Sequence, residues 1–199
     1  ACLQTLRKRL ARLKKRGDPA DEADMAALEE LEEKVAAITP EGPGRYKILI
    51  RTLRSHPELA WTGADPKDRL VIFSERIETL RRLRESLTAD LNLPPSAVEI
   101  LHGGLSDMEQ QRIVEEFGKE ASPLRLLLAS DVASEGINLH YLCHRLVHFD
   151  IPWSLMTFQQ RNGRIDRYGQ TSPPLIAYLQ IRSANERIRG DLRILELLR

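Results

Sequence analysis

Two arginines near the C-terminal end of the sequence, Arg164 and Arg167, are the residues best suited to chemistry. They lie three residues apart in the segment Gln-Gln-Arg-Asn-Gly-Arg-Ile-Asp-Arg-Tyr-Gly-Gln, residues 159–170. A guanidinium donates several hydrogen bonds in one plane and stays protonated, so it suits the dispersed charge of a phosphate. Ser154 is a candidate N-cap for a helix over residues 154–160, and residues three apart share a helix face. The pattern predicts two guanidiniums directed at one point, as arginine fingers are at a γ-phosphate.

An isolated Arg-x-x-Arg pair would more simply be a solvated helix end, so the elements before it decide the interpretation. Short apolar runs alternate with amphipathic stretches, and the runs end in polar or glycine residues. The predicted order is strand, helix, strand, helix, strand, short helix, strand, helix, strand, which is typical of a parallel sheet covered on both faces. Ligands of such sheets bind beyond the carboxyl ends of the strands. The first four predicted strands are residues 69–74, 98–102, 124–130 and 145–150.

Over residues 45–182 the sequence resembles the second RecA-like lobe of superfamily 2 helicases and translocases. Four motifs follow in the family's order, and together they make one specific signal. The Gly-x-Asn-Leu form of motif V, the Asp-x-Pro-Trp turn and the Arg-x-Gly-Gln ending are similar to the chromatin-remodeller-like branch. The Gln-Arg-x-Gly-Arg part is similar to ordinary helicases, and the mixture resembles bacterial remodeller-like ATPases such as the one that recycles RNA polymerase. The matching segments are 69–74 (motif IV), 102–106 (His-Gly-Gly-Leu-Ser), 130–139 (motif V) and 160–167 (motif VI).

The resemblance implies an α/β, RecA-like fold and a role for each matching residue. Arg164 and Arg167 are implied to be the arginine fingers of ATP hydrolysis. Ordinary turn chemistry at a strand end is the alternative for each of the matching residues. The implied nucleotide-facing residues are Gly136, where a side chain would block close approach, Asn138 and Gln160. The implied nucleic-acid-binding residues, with hydroxyls and amides on phosphates, are Ser74, His102, Gly103, Ser130 and Asp131.

The sequence lacks the other half of an ATP site. It contains no Gly-x-x-x-x-Gly-Lys-Ser/Thr loop to cradle phosphates. Asp21-Glu22-Ala23-Asp24 spells the metal-binding box of DEAD helicases, but no buried strand precedes it, and we interpret it as the acidic start of a helix. We therefore predict half of a motor, with ATP and Mg²⁺ held mainly by a first RecA-like lobe of the same protein. The isolated chain, which begins at Ala1 and which we interpret as a fragment or processed protein, should have little ATPase activity.

Charge is segregated in the N-terminal part, although the net charge of the chain is only +1. Residues 7–16 hold seven Lys and Arg, and residues 18–33 hold eight Asp and Glu. Apolar stripes at helical spacing on either side of Gly17 predict an antiparallel α-helical hairpin. We expect residues 1–44 to be this appendage and its linker, and residues 45–199 to be the lobe. We interpret the hairpin as a basic and an acidic helix that neutralise each other, and the alternative is a basic arm on a nucleic-acid backbone.

The favoured function is the second motor lobe of an ATP-dependent translocase on duplex DNA. An RNA or single-strand helicase is the alternative track, and a non-catalytic interaction module with the same fold is the alternative of a different class. A protein target is a further candidate partner. Cys2 and Cys143 show no disulfide framework, which favours a reducing cytoplasm, and no apolar run has membrane-spanning length.

Two further features attract a functional interpretation that we do not favour. His140, Cys143, His144 and His148 could be zinc ligands. They cross from a loop into a predicted strand, where their side chains would diverge, so no metal is predicted. Trp153 follows Pro152 and is interpreted as a packing anchor rather than a base-stacking platform.

Overall fold

The structure, a computed structural model, describes residues 2–36, 44–131 and 136–180. The chain divides into two compact units, residues 1–43 and 44–199. The predicted linker, residues 39–44, falls outside the described residues except for Gly44. Within the described residues no helix combines the length and the apolar character that a membrane span requires.

The first unit is a hairpin of two helices, α1 (Cys2–Arg16) and α2 (Glu22–Ala36). The chain turns at Gly17, whose φ of 66° lies in the left-handed region that favours glycine. The Asp18 side chain then accepts a hydrogen bond from the Ala20 amide at 2.9 Å and caps a short 3₁₀ turn. The predicted helical hairpin is therefore present.

The two helices of the hairpin are joined by apolar packing and by ion pairs. Leu6 and Leu10 of α1 are buried. The last residue of α1 pairs with an acidic residue of the turn, and residues nearer its start pair further along α2, as in an antiparallel hairpin. The nitrogen–oxygen distances are 2.7 Å for Arg7–Glu32 and 2.8 Å for Lys14–Glu29, and Arg16 pairs with Asp21. These three cations of α1 are therefore neutralised by acidic residues of the turn and of α2.

In the described part of the second unit, five strands form one sheet in the order β2-β3-β1-β4-β5, and neighbouring strands are parallel throughout. The central strand β1 is buried along its whole length because both faces of the sheet are covered. The predicted parallel α/β sheet is confirmed. The strands are β1 (Arg69–Phe73), β2 (Val98–Leu101), β3 (Leu126–Ala129), β4 (Cys143–His148) and β5 (Leu175–Tyr178).

Helices cover the sheet on both faces, and alternate residues of β1 enter two separate apolar clusters. Leu70 and Ile72 pack into one cluster, with side chains of α3 and α4. Val71 and Phe73 pack into the other, with side chains of α5 and of the segment after α6. This division follows from the two-residue repeat of a strand. The helices are α3 (Gly44–Ser55), α4 (Ile77–Asp90), α5 (Asp107–Phe117) and α6 (Leu155–Asn162).

Two differences from the sequence predictions concern the elements next to the site. The strand predicted over residues 145–150 spans Cys143–His148 instead. A short helix was expected between β3 and β4, but residues 136–142 contain turns and irregular segments and no helix, and residues 132–135 lie outside the described residues. Gly136 explains the turns in part, because its φ of 77° is incompatible with a right-handed helix.

Candidate functional site

The carboxyl ends of the parallel strands meet along one edge of the sheet. The Ser74 amide donates to the Ala129 carbonyl at 3.1 Å, and the Ser130 amide donates to the Leu101 carbonyl at 2.9 Å. His102 directly follows Leu101 at the end of β2. The structure therefore gathers the site residues predicted at these strand ends, as expected for a ligand edge of an α/β sheet.

Two of the gathered residues, Ser74 and Ser130, are buried, at 0% and 5% exposure. The Ser74 hydroxyl donates to the Asp150 carboxylate at 2.5 Å. The amides of both serines are already bonded within the sheet edge. Contact of either residue with a phosphate stays a prediction, and these particular donors are occupied within the chain.

The His102-Gly103-Gly104 turn presents a more open surface. The Gly104 amide donates to His102 Nδ1 at 3.0 Å, so the proton of the neutral ring is on Nε2. Gly103 is exposed. His102 borders a cavity of about 480 Å³ whose lining mixes both charges. The charged side chains of that lining are Arg81, Arg84, Arg112, Glu85, Glu99 and Glu109.

Arg164 and Arg167 do not lie on a helix, so the prediction that they share a helix face is wrong. Helix α6 begins after its N-cap Ser154, as predicted, but it ends at Asn162. The two arginines occupy the turns that follow. Ile165, which lies between them, is fully buried in the apolar cluster of α5 and anchors these turns to the sheet.

The segment after β3, rather than a helix, positions both arginines. Arg164 Nη1 donates to the Ile137 carbonyl at 3.3 Å. The Leu139 amide donates to the Arg164 carbonyl at 3.0 Å. Arg167 donates to the side-chain oxygen of Asn138. The two candidate fingers therefore contact consecutive residues of motif V, one of which is a predicted nucleotide-facing residue.

Gly136 and Asn138 line an open cavity of about 650 Å³ beside α5, to which the exposed Tyr141 also contributes. A Cβ added at Gly136 would meet no heavy atom within 4 Å. Within this chain, the positive φ rather than lack of space therefore accounts for the glycine. Gln160 is exposed on α6, and its predicted nucleotide contact stays a prediction.

Arg161 has a role at this edge of the sheet that its motif did not predict. Its side chain is 1% exposed. It donates from Nε and Nη2 to the two Asp131 oxygens at 2.5 and 2.9 Å, and from Nη1 to the Asp150 carbonyl at 3.0 Å. Its guanidinium also lies over the Phe73 ring, 5.5 Å from the centroid. Arg161 therefore joins the ends of β1 and β3, the turn after β4, and α6.

Arg161 occupies the carboxylate of Asp131, a residue predicted to contact nucleic acid. The Asp131 side chain is 25% exposed, and both of its oxygens accept hydrogen bonds from Arg161. Its carboxylate therefore helps to position motif VI. The available signal was the three-residue repeat Arg161, Arg164, Arg167, but spacing alone does not show which guanidinium is buried.

His148 lies under α6 as a buried, neutral imidazole. Its ring stacks on Phe158 with centroids 4.5 Å apart, and its Nε2 lies 2.8 Å from the Asn162 side-chain oxygen. Burial is the main cause that lowers the pKa of His148 to about 4, and the nearby charge of Arg161 acts in the same direction. The buried edge of the site therefore contains one permanent cation and one imidazole that resists protonation.

This imidazole gives the free energy of unfolding a defined pH dependence. An unfolded His protonates near pH 6.5, whereas native His148 protonates near pH 4. Between these values the unfolded state binds more protons, so we expect stability to fall as the pH is lowered from about 6.5 to about 4, by about 3 kcal/mol from this group. Urea unfolding at several pH values should show a shallower dependence in His148→Gln than in the unmodified chain. Parallel curves would contradict the assignment.

The four residues considered as zinc ligands are engaged separately. Cys143 is buried in the apolar cluster of α5, and burial raises the pKa of its thiol to about 12. His144 Nδ1 lies 3.9 Å from the Asp68 carboxylate, and His148 packs under α6. His140 lies in the loop before β4. Across residues 2–36, 44–131 and 136–180, no group of three or more His, Cys, Asp or Glu is arranged to hold a metal ion.

The interpretation of Trp153 as a packing anchor is wrong. Its side chain is 76% exposed, and Met156 in the first turn of α6 is 67% exposed. Ile151 and Pro152 are buried and anchor the turn instead. Trp153 therefore presents an aromatic surface to solvent at the start of α6.

Known proteins resemble this chain both in sequence and in fold. RapA, the RNA polymerase-associated protein of Pectobacterium atrosepticum, is 34% identical over 107 residues, which cover 53% of this chain and 10% of RapA. The ATP-dependent RNA helicase DDX42 of Xenopus laevis is 28% identical over 159 residues, 80% of this chain and 15% of DDX42. This chain therefore spans only a small part of these relatives.

Solved structures share the fold of the chain. The C-terminal part of the Fun30 ATPase domain matches with a TM-score of 0.57 and 18% identity, over 87% of this chain and 57% of that one. Domain 2 of the DEAD-box helicase Mss116p, solved bound to an RNA duplex, matches with a TM-score of 0.54 and 16% identity, over 68% of this chain and 50% of that one. These matches confirm the predicted RecA-like fold.

The family model described as "Helicase conserved C-terminal domain" matches residues 45–169, which is more than half of the chain. These residues contain the sheet edge, Arg161 and both candidate fingers. The predicted resemblance to the C-terminal lobe of superfamily 2 helicases is therefore confirmed. The chain belongs to the helicase conserved C-terminal domain family.

Proposed function

We propose that this chain is the second motor lobe of an ATP-dependent nucleic-acid translocase and supplies the arginine fingers to ATP bound by a first lobe. The observation that carries the proposal is the joint anchoring of Arg164 and Arg167 on residues 137–138. Ile165 fixes the turn between them in the apolar core. A pair of guanidiniums held in this way can stabilise the charge that develops on a transferring phosphoryl group.

The rest of the nucleotide site would come from outside the described residues. ATP with Mg²⁺ would be held mainly by the first lobe, because this sequence has no phosphate-cradling loop. Gly136 and Asn138, at the open cavity beside α5, would face the nucleotide from this side. Hydrolysis would then require the two lobes to close on each other, which is how catalysis can be coupled to movement.

The proposed track is duplex DNA, bound through its phosphates without sequence preference. The remodeller-like features of motif V and of the Asp150–Trp153 turn favour this track. The exposed His102-Gly103 turn and Trp153 offer a polar and an aromatic contact surface. An RNA track is the second candidate, since the relative DDX42 is named an RNA helicase and the Mss116p domain was solved on an RNA duplex. We further propose a cytoplasmic location and a protein target as an additional partner.

The test is ATP hydrolysis by the longer protein that contains this lobe, with duplex DNA, single-stranded DNA and RNA at one fixed salt concentration. We expect duplex DNA to stimulate hydrolysis most and the isolated chain to hydrolyse little or no ATP. Stimulation by RNA or single strands alone would indicate an RNA or single-strand helicase instead of a duplex DNA translocase. Turnover by the isolated chain would contradict the half-motor account, and no stimulation by any nucleic acid would favour a non-catalytic module.

A further inference from the structure

The hairpin uses only part of the positive charge of α1 to hold α2. The cations at positions 7, 14 and 16 pair with acidic residues of the following turn and helix. The side chains of the others are exposed, and none of them forms an ion pair within the described residues. These remaining cations are Lys8, Arg9, Arg12 and Lys15.

The unpaired cations share one side of α1. Lys8, Arg12 and Lys15 follow an i, i+4, i+7 spacing, which places them on one face of the helix, opposite the buried Leu10. Arg9 lies at the flank of this face. At 1.5 Å per residue, the three aligned charges extend over about 10 Å. No acidic residue occurs within α1.

The helix dipole does not account for this arrangement. Cations stabilise a helix near its C-terminus, an effect confined to the last turn. In α1 the last turn holds Lys14, Lys15 and Arg16. Lys8, Arg9 and Arg12 lie further back, where the dipole has little effect. Their clustering on the outward face needs another reason.

We propose that this face, formed by Lys8, Arg9, Arg12 and Lys15, binds the phosphate backbone of a nucleic acid. A row of cations along one helix face suits the regular negative charge of a duplex, which carries one phosphate per 3.4 Å of axis on each strand. The face lacks the apolar centre of a protein interface, because all four of its side chains are Lys or Arg and the uncharged residues beside it, Thr5 and Ala11, are small. The proposal goes beyond the motor function and can hold even if the lobe is not catalytic.

The test compares two variants of the full chain with equal changes in net charge. The first carries Lys8→Gln, Arg9→Gln, Arg12→Gln and Lys15→Gln, which preserve helix propensity, the Leu6 and Leu10 packing and the ion pairs to α2. The control carries Lys47→Gln, Arg51→Gln, Lys67→Gln and Arg82→Gln in the lobe. Binding to a fluorescein-labelled DNA duplex is followed by fluorescence anisotropy between about 50 and 200 mM salt, without nucleotide.

We expect the hairpin variant to bind the duplex about tenfold or more weakly, with a log–log salt dependence shallower by about two to four, and the control to change little. Equal losses in both variants, or no loss in the hairpin variant, would overturn the proposal. A second copy of the chain, with its acidic α2, is the competing occupant. Sedimentation that shows concentration-dependent self-association, lost in the hairpin variant while its duplex affinity is unchanged, would assign the face to that occupant. Circular dichroism checks that α1 remains helical.

Discussion

Arg164→Ala is expected to lower the ATPase rate of the longer protein about a thousandfold or more. The guanidinium of Arg164 would act on charge that develops at the γ-phosphate during attack by water, so its loss removes an interaction made in the transition state. The backbone of Arg164 would remain in place, because Ile165 is buried beside it and the Leu139 amide bonds to its carbonyl. The expected loss is therefore in kcat rather than in KM for ATP.

Three further variants test whether the loss of activity comes from a missing arginine finger or from a general effect of substitution. Arg164→Lys keeps the charge but not the planar fork, so most of the activity should still be lost. Arg167→Ala tests the second finger in the same way. Arg51→Ala, at an exposed position on α3, is the matched control and should leave hydrolysis unchanged. Near-normal kcat in Arg164→Ala, with intact duplex binding, would exclude the finger role and strengthen the interpretation of a non-catalytic module.

Arg161→Leu is expected to destabilise the chain by about 3 to 5 kcal/mol. The substitution fills part of the same buried space but leaves Asp131 and Asp150 at the site without their shared cation. The two carboxylates are 25% and 22% exposed, so water can relieve part of the penalty. We therefore expect a loss near the lower end of this range, measured by urea unfolding at neutral pH.

A double-mutant cycle isolates the contribution of the ion pair. Asp131→Asn alone should also destabilise, because a neutral amide cannot balance the buried guanidinium. Asp131→Asn combined with Arg161→Leu should cost less than the sum of the single changes, because the loss of the pair is counted only once. Lys67→Leu, whose partner Glu120 lies 3.5 Å away on the surface, is the control and should change stability by less than about 1 kcal/mol. Strict additivity in the cycle would show that Arg161 and Asp131 do not act as a pair.

Local sequence patterns were enough to predict the sheet, the hairpin and the segments at the edge of the site. Apolar runs, helical spacing and caps such as Ser154 depend on a few neighbouring residues, so they can be identified without the tertiary structure. The same local signals predicted that Ser74, His102 and Ser130 would meet at one edge, because parallel strands align their carboxyl ends. The candidate fingers were also visible from residue type and spacing.

The partners of the site residues, by contrast, depend on contacts between distant parts of the fold. Arg161 and Asp131 are 30 residues apart, and Ser74 and Asp150 are 76 apart, so no local pattern shows that these polar groups bury each other. Gly163 ends α6 before the candidate fingers, so contacts with residues 137–138 set their direction rather than helical spacing. Trp153 is exposed because Ile151 and Pro152 take the buried positions of its turn. Burial of a side chain depends on the whole fold, whereas the tendency to form a strand or helix is largely local.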